Sequence, residues 1–76
     1  MRLIVNGRPV DLDRPTPLLE YLGALAVDQR AVAVELNQRI LERSEFAAAV
    51  LGEGDVVEIV RMVGGGRPGA GRTAAG

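Results

Sequence analysis

Residues 54–66 read GDVVEIVRMVGGG, and the architecture of the whole chain depends on how this segment pairs. The span Val56–Val63 is rich in β-branched residues, interrupted by Glu58 and Arg61, and this composition is typical of a strand. The Gly54-Asp55 pair before it is typical of a turn. We therefore predict that the foldable part of the chain ends in a strand and that three glycines follow directly.

The first 13 residues predict the hairpin that this last strand must join. The apolar residues of 1–5 and of 10–13 recur at every second position, which is the period of a strand. The Asn6-Gly7 pair between them tolerates the positive φ angles of a tight two-residue turn. The predicted buried face of the hairpin consists of Met1, Leu3, Val5, Val10 and Leu12.

A single helix is predicted after this hairpin. Thr16 is a suitable N-cap, and Pro17 suits the first helical position, where the missing N–H costs nothing. We predict a helix from Pro17 to about Ala26. The leucines at spacings of four and three that form its inner stripe are Leu18, Leu22 and Leu25.

The middle of the chain predicts a second hairpin. Residues 31–36 form an apolar, valine-rich run that is typical of a mostly buried strand. Asn37-Gln38 then predicts a turn, and residues 39–41 a short return strand. Ser44 is a suitable cap for a single helical turn beginning at Glu45. The residues expected to pack against the core after this turn are Phe46, Val50 and Leu51.

The predicted order of elements is strand, strand, helix, strand, short strand and strand. One helix lying across one sheet gives two layers around a single core. The first and last strands must then be parallel neighbours to close the sheet. We therefore predict an α+β, ubiquitin-like β-grasp fold for residues 1–66, with a mixed sheet of about five strands packed against one main helix.

The side-chain inventory excludes most catalytic chemistry. The 76 residues include no cysteine and no histidine, which removes thiolate nucleophiles, the usual zinc ligands and the usual general base near neutral pH. Aromatic residues make up 3% of the chain, too few to build a stacking platform for bases or flavins. We expect no catalytic residue, no metal site and no bound cofactor, and a chain that is not an enzyme.

The charges and the apolar stretches of the chain limit the kinds of partner and the cellular location that we expect. All nine basic residues are arginines, against ten acidic residues, for a formal net charge of −1. Arg67 and Arg72 lie after the glycines, so the predicted folded part is mildly acidic and we expect no nucleic-acid partner. The apolar stretches are too short for a membrane span and no signal peptide is visible, so we expect no membrane association and a cytoplasmic location.

Several segments resemble the ThiS family of sulfur carrier proteins in thiamine biosynthesis, which are ubiquitin-like β-grasp proteins. The matching segments are Val5-Asn6-Gly7, residues 32–37 (VAVELN), residues 43–46 (RSEF), residues 54–60 (GDVVEIV) and residues 63–66 (VGGG). A Gly-Gly pair alone is common in linkers. Joined to the preceding strand and to this order of elements, the pair is typical of the family.

The resemblance implies a specific role for the three glycines. Gly66 would carry sulfur as a thiocarboxylate, while Gly64 and Gly65 would form the narrow thread that enters a partner's channel. A ubiquitin-activating-type adenylyltransferase would adenylate Gly66 with ATP, a cysteine desulfurase would supply the sulfur, and thiazole synthase would receive it. The chain has no phosphate-binding loop of its own, so ATP and the sulfur donor would be used by these partner enzymes.

Residues 67–76 depart from the family pattern, because its members usually end at the paired glycines. These ten residues include no large apolar side chain, so we expect a disordered C-terminal extension. While the Gly66–Arg67 peptide bond is intact, Gly66 has no carboxylate to activate. We therefore hypothesise that a processing peptidase removes residues 67–76 on maturation.

Two alternatives remain open at this point. The small subunit of molybdopterin synthase, or another ubiquitin-like sulfur carrier, has the same fold and chemistry, although the molybdopterin chains are usually longer and have proline close to the glycine pair. The other alternative is a non-catalytic β-grasp interaction module in which the glycines are only a flexible linker.

Overall fold

The computed structural model describes residues 1–62, which form a mixed five-stranded sheet with one α-helix packed across it and a small two-stranded sheet beside the helix. The strands are β1 (Arg2–Val5), β2 (Arg8–Asp11), β3 (Thr16–Pro17), β4 (Val32–Leu36), β5 (Arg39–Ile40), β6 (Val50–Leu51) and β7 (Val56–Arg61). Helix α1 spans Leu18–Ala24, and two 3₁₀ turns span Gln29–Ala31 and Arg43–Glu45.

The order of strands in the main sheet is β2-β1-β7-β4-β5, so the last strand of the chain lies at its centre. Strand β7 pairs in parallel with β1, where Ile4 lies opposite Val56. It pairs antiparallel with β4 over five residue pairs. This arrangement confirms the predicted β-grasp fold and the parallel pairing of the first and last strands.

Two hairpins flank β7, and each has a two-residue turn that begins with asparagine. In the first turn Asn6 and Gly7 have φ angles of 52° and 81°. In the second, Asn37 and Gln38 have φ angles of 53° and 71°. Two successive residues at positive φ make the turn that matches the twist of paired strands, and both turns lie where the sequence predicts them.

The core lies between α1 and the inner face of the main sheet. Its buried members are Leu3, Val5, Leu18, Leu22, Val32, Val34, Leu41, Phe46, Leu51 and Val57. Two apolar residues predicted to be internal are exposed instead: Leu25 by 46% and Val50 by 52%. Leu25 follows the last residue of α1 and so leaves the helical stripe, and Val50 lies in a strand whose side chains alternate between core and solvent.

The start of α1 differs from its prediction. Thr16 is not the N-cap but lies in β3 opposite Leu51, and its hydroxyl donates to the Arg14 carbonyl at 2.9 Å. Pro17 keeps an extended ψ of 141° and occupies the cap position, so the helix begins one residue later than predicted. The backbone N–H of Leu18 donates to the Ala49 carbonyl at 2.9 Å. A backbone pairing across the chain therefore takes the place of a side-chain cap.

The turn after β5 also differs in its cap. The 3₁₀ turn begins at Arg43, and Glu42 caps it through a reciprocal pair of hydrogen bonds with Glu45. Ser44 lies inside the turn rather than before it.

The predicted boundary at Gly66 and the predicted disorder of residues 67–76 lie outside the described residues. Within residues 1–62 no helix has the length and apolar character needed to cross a membrane.

Candidate functional site

The predicted site residues Gly64, Gly65 and Gly66 lie outside the described residues. The structure describes instead the strand that leads to them in the sequence. That strand is β7, whose last residue, Arg61, is followed by Met62. Met62 donates its backbone N–H to the carbonyl of Ala31 at 2.8 Å. The backbone is therefore held by the sheet up to the residue before Val63.

Strand β7 is fixed by burial on one face and by pairing on both sides. Val57 has no exposed surface, and Ile59 packs against the core as a partly buried residue. Both side chains therefore point towards α1 and the core. The outward positions of β7 are instead Val56, Glu58 and Val60.

The Asn6 side chain has a role that turn patterns do not indicate. Its Oδ1 accepts from the backbone N–H of Ile59 at 2.7 Å, and its Nδ2 donates to the Ile59 carbonyl at 3.3 Å. The parallel pairing of β1 with β7 has already ended at Val57, where the Val57 carbonyl accepts from the Asn6 backbone N–H. The carboxamide thus supplies the next pair of hydrogen bonds to β7, which a longer β1 would otherwise have made.

Asn37 does the corresponding work on the other side of β7. Its Oδ1 accepts from the N–H of Val56 at 2.9 Å, and its Nδ2 donates to Oδ1 of Asp55 at 3.0 Å. Asp55 in turn accepts from the N–H of Gly52 at 2.8 Å through its other oxygen. The start of β7 is therefore tied to the second hairpin and to the loop before it.

The end of β7 lies beside the 3₁₀ turn Gln29–Ala31, and side chains hold this turn in place. The Asp28 carboxylate accepts from the backbone N–H of Arg30 at 2.9 Å, and this hydrogen bond lowers the pKa of Asp28 below its ordinary value. The Arg43 guanidinium donates to the carbonyls of Gln29 and Val32 and stacks on the Phe46 ring, 4.9 Å from its centre.

A cavity of about 150 Å³ opens next to this end of the strand. It is mainly apolar, and its lining residues are Val5, Asn6, Leu25, Val27, Val32, Ile59 and Arg61. The exposed Leu25 therefore lines the same cavity as Arg61, the last residue of β7. In residues 1–62 no three acidic, histidine or cysteine side chains come together as metal ligands.

Comparison with known proteins shows which family the chain resembles in sequence and in structure. A model of the ThiS family matches residues 3–66, which include the three glycines. The crystal structure of the thiamine biosynthesis protein ThiS from Geobacter metallireducens superposes with a TM-score of 0.74 at 43% identity, covering 87% of this chain and all of that one.

Two kinds of curated relative are similar in sequence. The sulfur carrier protein ThiS of Thermus thermophilus is 39% identical over 62 residues, covering 82% of this chain and 95% of that protein. A thiazole synthase of Paramagnetospirillum magneticum is 39% identical over 66 residues, or 87% of this chain. The chain spans about one fifth of the length of the thiazole synthases that it matches. The matches over nearly full length establish that the chain belongs to the ThiS family.

Proposed function

We propose that this chain is a sulfur carrier protein of thiamine biosynthesis. The observation on which the proposal rests is the similarity to ThiS proteins along almost the whole of their length, together with a family match that extends to Gly66. The described fold suits a carrier, because it anchors the strand that leads to the glycines from both sides. The chain then acts as a protein co-substrate of other enzymes and has no catalysis of its own.

The chemistry of the carrier takes place at Gly66. Its freed carboxylate attacks the α-phosphorus of ATP in a partner adenylyltransferase, forming an acyl adenylate and releasing pyrophosphate. Persulfide sulfur from a cysteine desulfurase attacks the acyl carbon, and AMP leaves. A thiol of a partner enzyme then attacks the desulfurase sulfur of the resulting acyl disulfide, so that a new disulfide forms between the thiol and the desulfurase cysteine and the other sulfur leaves on Gly66 as a thiocarboxylate. Gly64 and Gly65 suit this role, because residues without side chains fit a narrow channel and accept many backbone angles.

Thiazole synthase is the proposed acceptor of the sulfur. In the thiazole synthase of Paramagnetospirillum magneticum, a region similar to this chain occupies 20% of a longer protein. A chain that joins the two parts keeps a carrier and its acceptor at high effective concentration. The presence of a similar region within a thiazole synthase therefore favours direct binding between the present chain and a thiazole synthase. We place this reaction in the cytoplasm, where ATP and persulfide sulfur are available.

Mass spectrometry of the endogenous protein tests the carrier chemistry. We expect a chain that ends at Gly66 after a peptidase has removed residues 67–76, with a fraction heavier by about 16 daltons for the exchange of oxygen for sulfur. A full-length mass in every growth condition contradicts the processing step. A chain ending at Gly66 that never gains this mass, even when thiamine is limiting, contradicts the carrier function itself.

A further inference from the structure

The two asparagines of the chain occupy the same position in the two hairpin turns, but they differ in the residue that follows. Asn6, at a φ of 52°, is followed by Gly7, and Asn37, at a φ of 53°, is followed by Gln38. An asparagine is a thermolabile residue, because the backbone nitrogen of the next residue can attack its side-chain amide. Glycine leaves that nitrogen unhindered, whereas a residue with a Cβ atom crowds the approach. The first turn therefore carries the more reactive asparagine.

The reaction at this turn needs only water. The Gly7 nitrogen loses its proton to hydroxide and attacks Cγ of Asn6, and Nδ2 takes up a proton and leaves as ammonia. The new N–C bond closes a cyclic imide, and water then opens either of its two carbonyls to give aspartate or isoaspartate. Gly7 is exposed, and within residues 1–62 no hydrogen bond engages its N–H. The attacking group is therefore open to solvent in the folded chain.

The group under attack, in contrast, is held away by the fold. Both polar atoms of the Asn6 carboxamide bond to the backbone of Ile59, at 2.7 Å and 3.3 Å. These bonds must break before Cγ can turn towards the Gly7 nitrogen, and this requires the end of β1 to part from β7. The parallel pairing of these two strands covers only two residue pairs. So short a ladder is expected to open locally at a lower free-energy cost than that of unfolding the whole chain.

We propose that Asn6 is a site of spontaneous deamidation, which its contacts with Ile59 protect and which local opening of β1 from β7 exposes. Neither product restores the contacts. An aspartate oxygen can accept from the Ile59 N–H, but the other oxygen has no hydrogen to donate to the Ile59 carbonyl. Isoaspartate adds a carbon to the backbone of a two-residue turn and so disturbs the pairing that this turn sets. Each reacted chain therefore holds β7, the strand that leads to the glycines, less firmly than before.

Peptide mapping by mass spectrometry tests this inference on the full chain, aged at mildly alkaline pH and read as a gain of about 1 dalton at each asparagine. Conversion at Asn6 is expected to be at least about tenfold faster than at Asn37, and to accelerate in urea below the unfolding transition. Equal rates at the two asparagines overturn the inference. So does a rate at Asn6 that is the same in the folded and the unfolded chain, or one that rises only through the unfolding transition itself.

The variant Gln38→Gly places the same dipeptide in both turns and so isolates the effect of the strand pairing. In the urea-unfolded variant, Asn37 is expected to react about tenfold faster than in the parent chain, close to the rate of Asn6. In the folded variant, Asn37 is expected to remain the slower of the two, because β4 pairs with β7 over five residue pairs. Equal rates in the folded variant contradict protection by the strand pairing.

The variant Asn6→Asp measures the consequence of the reaction. Its melting temperature is expected to lie about 5 to 10 °C below that of the parent chain, since one hydrogen bond to Ile59 is lost and a carboxylate faces a carbonyl. Gln38→Glu is the matched control, with the same change of charge in the other turn and an expected shift within about 2 °C. A melting temperature of Asn6→Asp equal to that of the control overturns the proposed loosening of β7. These outcomes hold whether or not the chain carries sulfur.

Discussion

The two hairpins on either side of β7 use the same turn but hold the strand in different ways. The first, β1–β2, pairs with β7 in parallel over two residue pairs and then turns away. The second, β4–β5, pairs antiparallel with β7 over five residue pairs. In both, the first turn residue is an asparagine at positive φ whose carboxamide bonds to the β7 backbone.

The difference shows where a side chain replaces a strand. On the β1 side the ladder is short, so Asn6 must serve both the N–H and the carbonyl of Ile59, in the middle of β7. On the β4 side the ladder is long. The Asn37 side chain therefore accepts only from the first N–H of the strand, that of Val56, and its Nδ2 donates to the Asp55 side chain instead. We therefore expect β7 to depend on a side chain on one side and on backbone pairing on the other.

The largest expected effect is that of Asn6→Ala. The change removes two hydrogen bonds to Ile59 and places alanine at a φ of 52°, which together are expected to lower the free energy of unfolding by about 3 kcal/mol. Urea denaturation measures the loss. For a domain of this size the loss corresponds to a fall of well over 10 °C in the melting temperature.

The variant Asn6→Gly separates the two causes. Glycine accepts the positive φ but has no carboxamide, so we expect it to recover about 1 kcal/mol of the loss. Full recovery by glycine contradicts the view that the side chain acts as a substitute for strand pairing.

Asn37→Ala is expected to destabilise the chain less, by about 2 kcal/mol. It carries the same backbone cost at a φ of 53°, but only one of the two lost bonds is made to β7, and the other is an exposed contact between side chains. The measurement is again urea denaturation, with Asn37→Gly as the control. A loss greater than that of Asn6→Ala reverses the comparison of the two hairpins.

Gln38→Gly is expected to stabilise the chain by about 1 kcal/mol. Gln38 occupies the position that Gly7 occupies in the first hairpin, and its φ of 71° strains a residue with a Cβ atom. The converse change, Gly7→Ala at a φ of 81°, is expected to destabilise by a similar amount. Both are read from thermal unfolding, and a destabilised Gln38→Gly means that the glutamine side chain contributes more than its strain costs.

The smallest expected effect is a loss of stability in acid, to which both hairpins contribute. A hydrogen bond and the charge of Arg2 lower the pKa of Asp11, and the Glu42 N–H and Arg39 lower the pKa of Glu45. Because the folded pKa lies below the unfolded one, the stability that each carboxylate adds is present above about pH 5 and is lost as the pH falls through the folded pKa.

The variants Asp11→Asn and Glu45→Gln test this explanation. In each, the free energy of unfolding is expected to fall less than in the parent chain between about pH 5 and pH 3. Glu45→Gln is expected to flatten this fall more, because the side chain of Glu45 is 36% exposed while that of Asp11 is 68% exposed, and water screens the latter ion pair more strongly. Equal slopes in the two variants and the parent chain contradict the assignment of the acid loss to these carboxylates.

Local signals in the sequence predicted the elements and their order well. The Asn6-Gly7 pair, the period of the first strands and the valine-rich runs are each sufficient for a turn or a strand, and the parallel pairing of first and last strands follows from closing one sheet over one helix. The family resemblance rested on the same segments and is confirmed.

Contacts between distant residues could not be predicted in this way. Thr16 carries a good capping signal, yet its place is set by Leu51, 35 positions further along the chain. The contact of the Asn6 carboxamide with Ile59 and the pairing of Glu35 with Glu58 likewise require a register between strands far apart in sequence. No local pattern encodes that register. The three glycines remain a prediction, since they lie beyond the described part of the chain.

The borders of the main sheet are poor templates for a further strand. Met1 and Leu12 form a hydrogen-bonded pair, in which each backbone N–H donates to the other residue's carbonyl. Hydrogen-bonded and non-hydrogen-bonded pairs alternate along an antiparallel ladder, so the Ile4–Pro9 pair is not hydrogen-bonded and the Pro9 nitrogen faces the open edge of β2. Proline has no N–H to donate there. The opposite border, β5, is two residues long. Addition of a foreign strand at either border is therefore discouraged, which guards the chain against amyloid-like stacking.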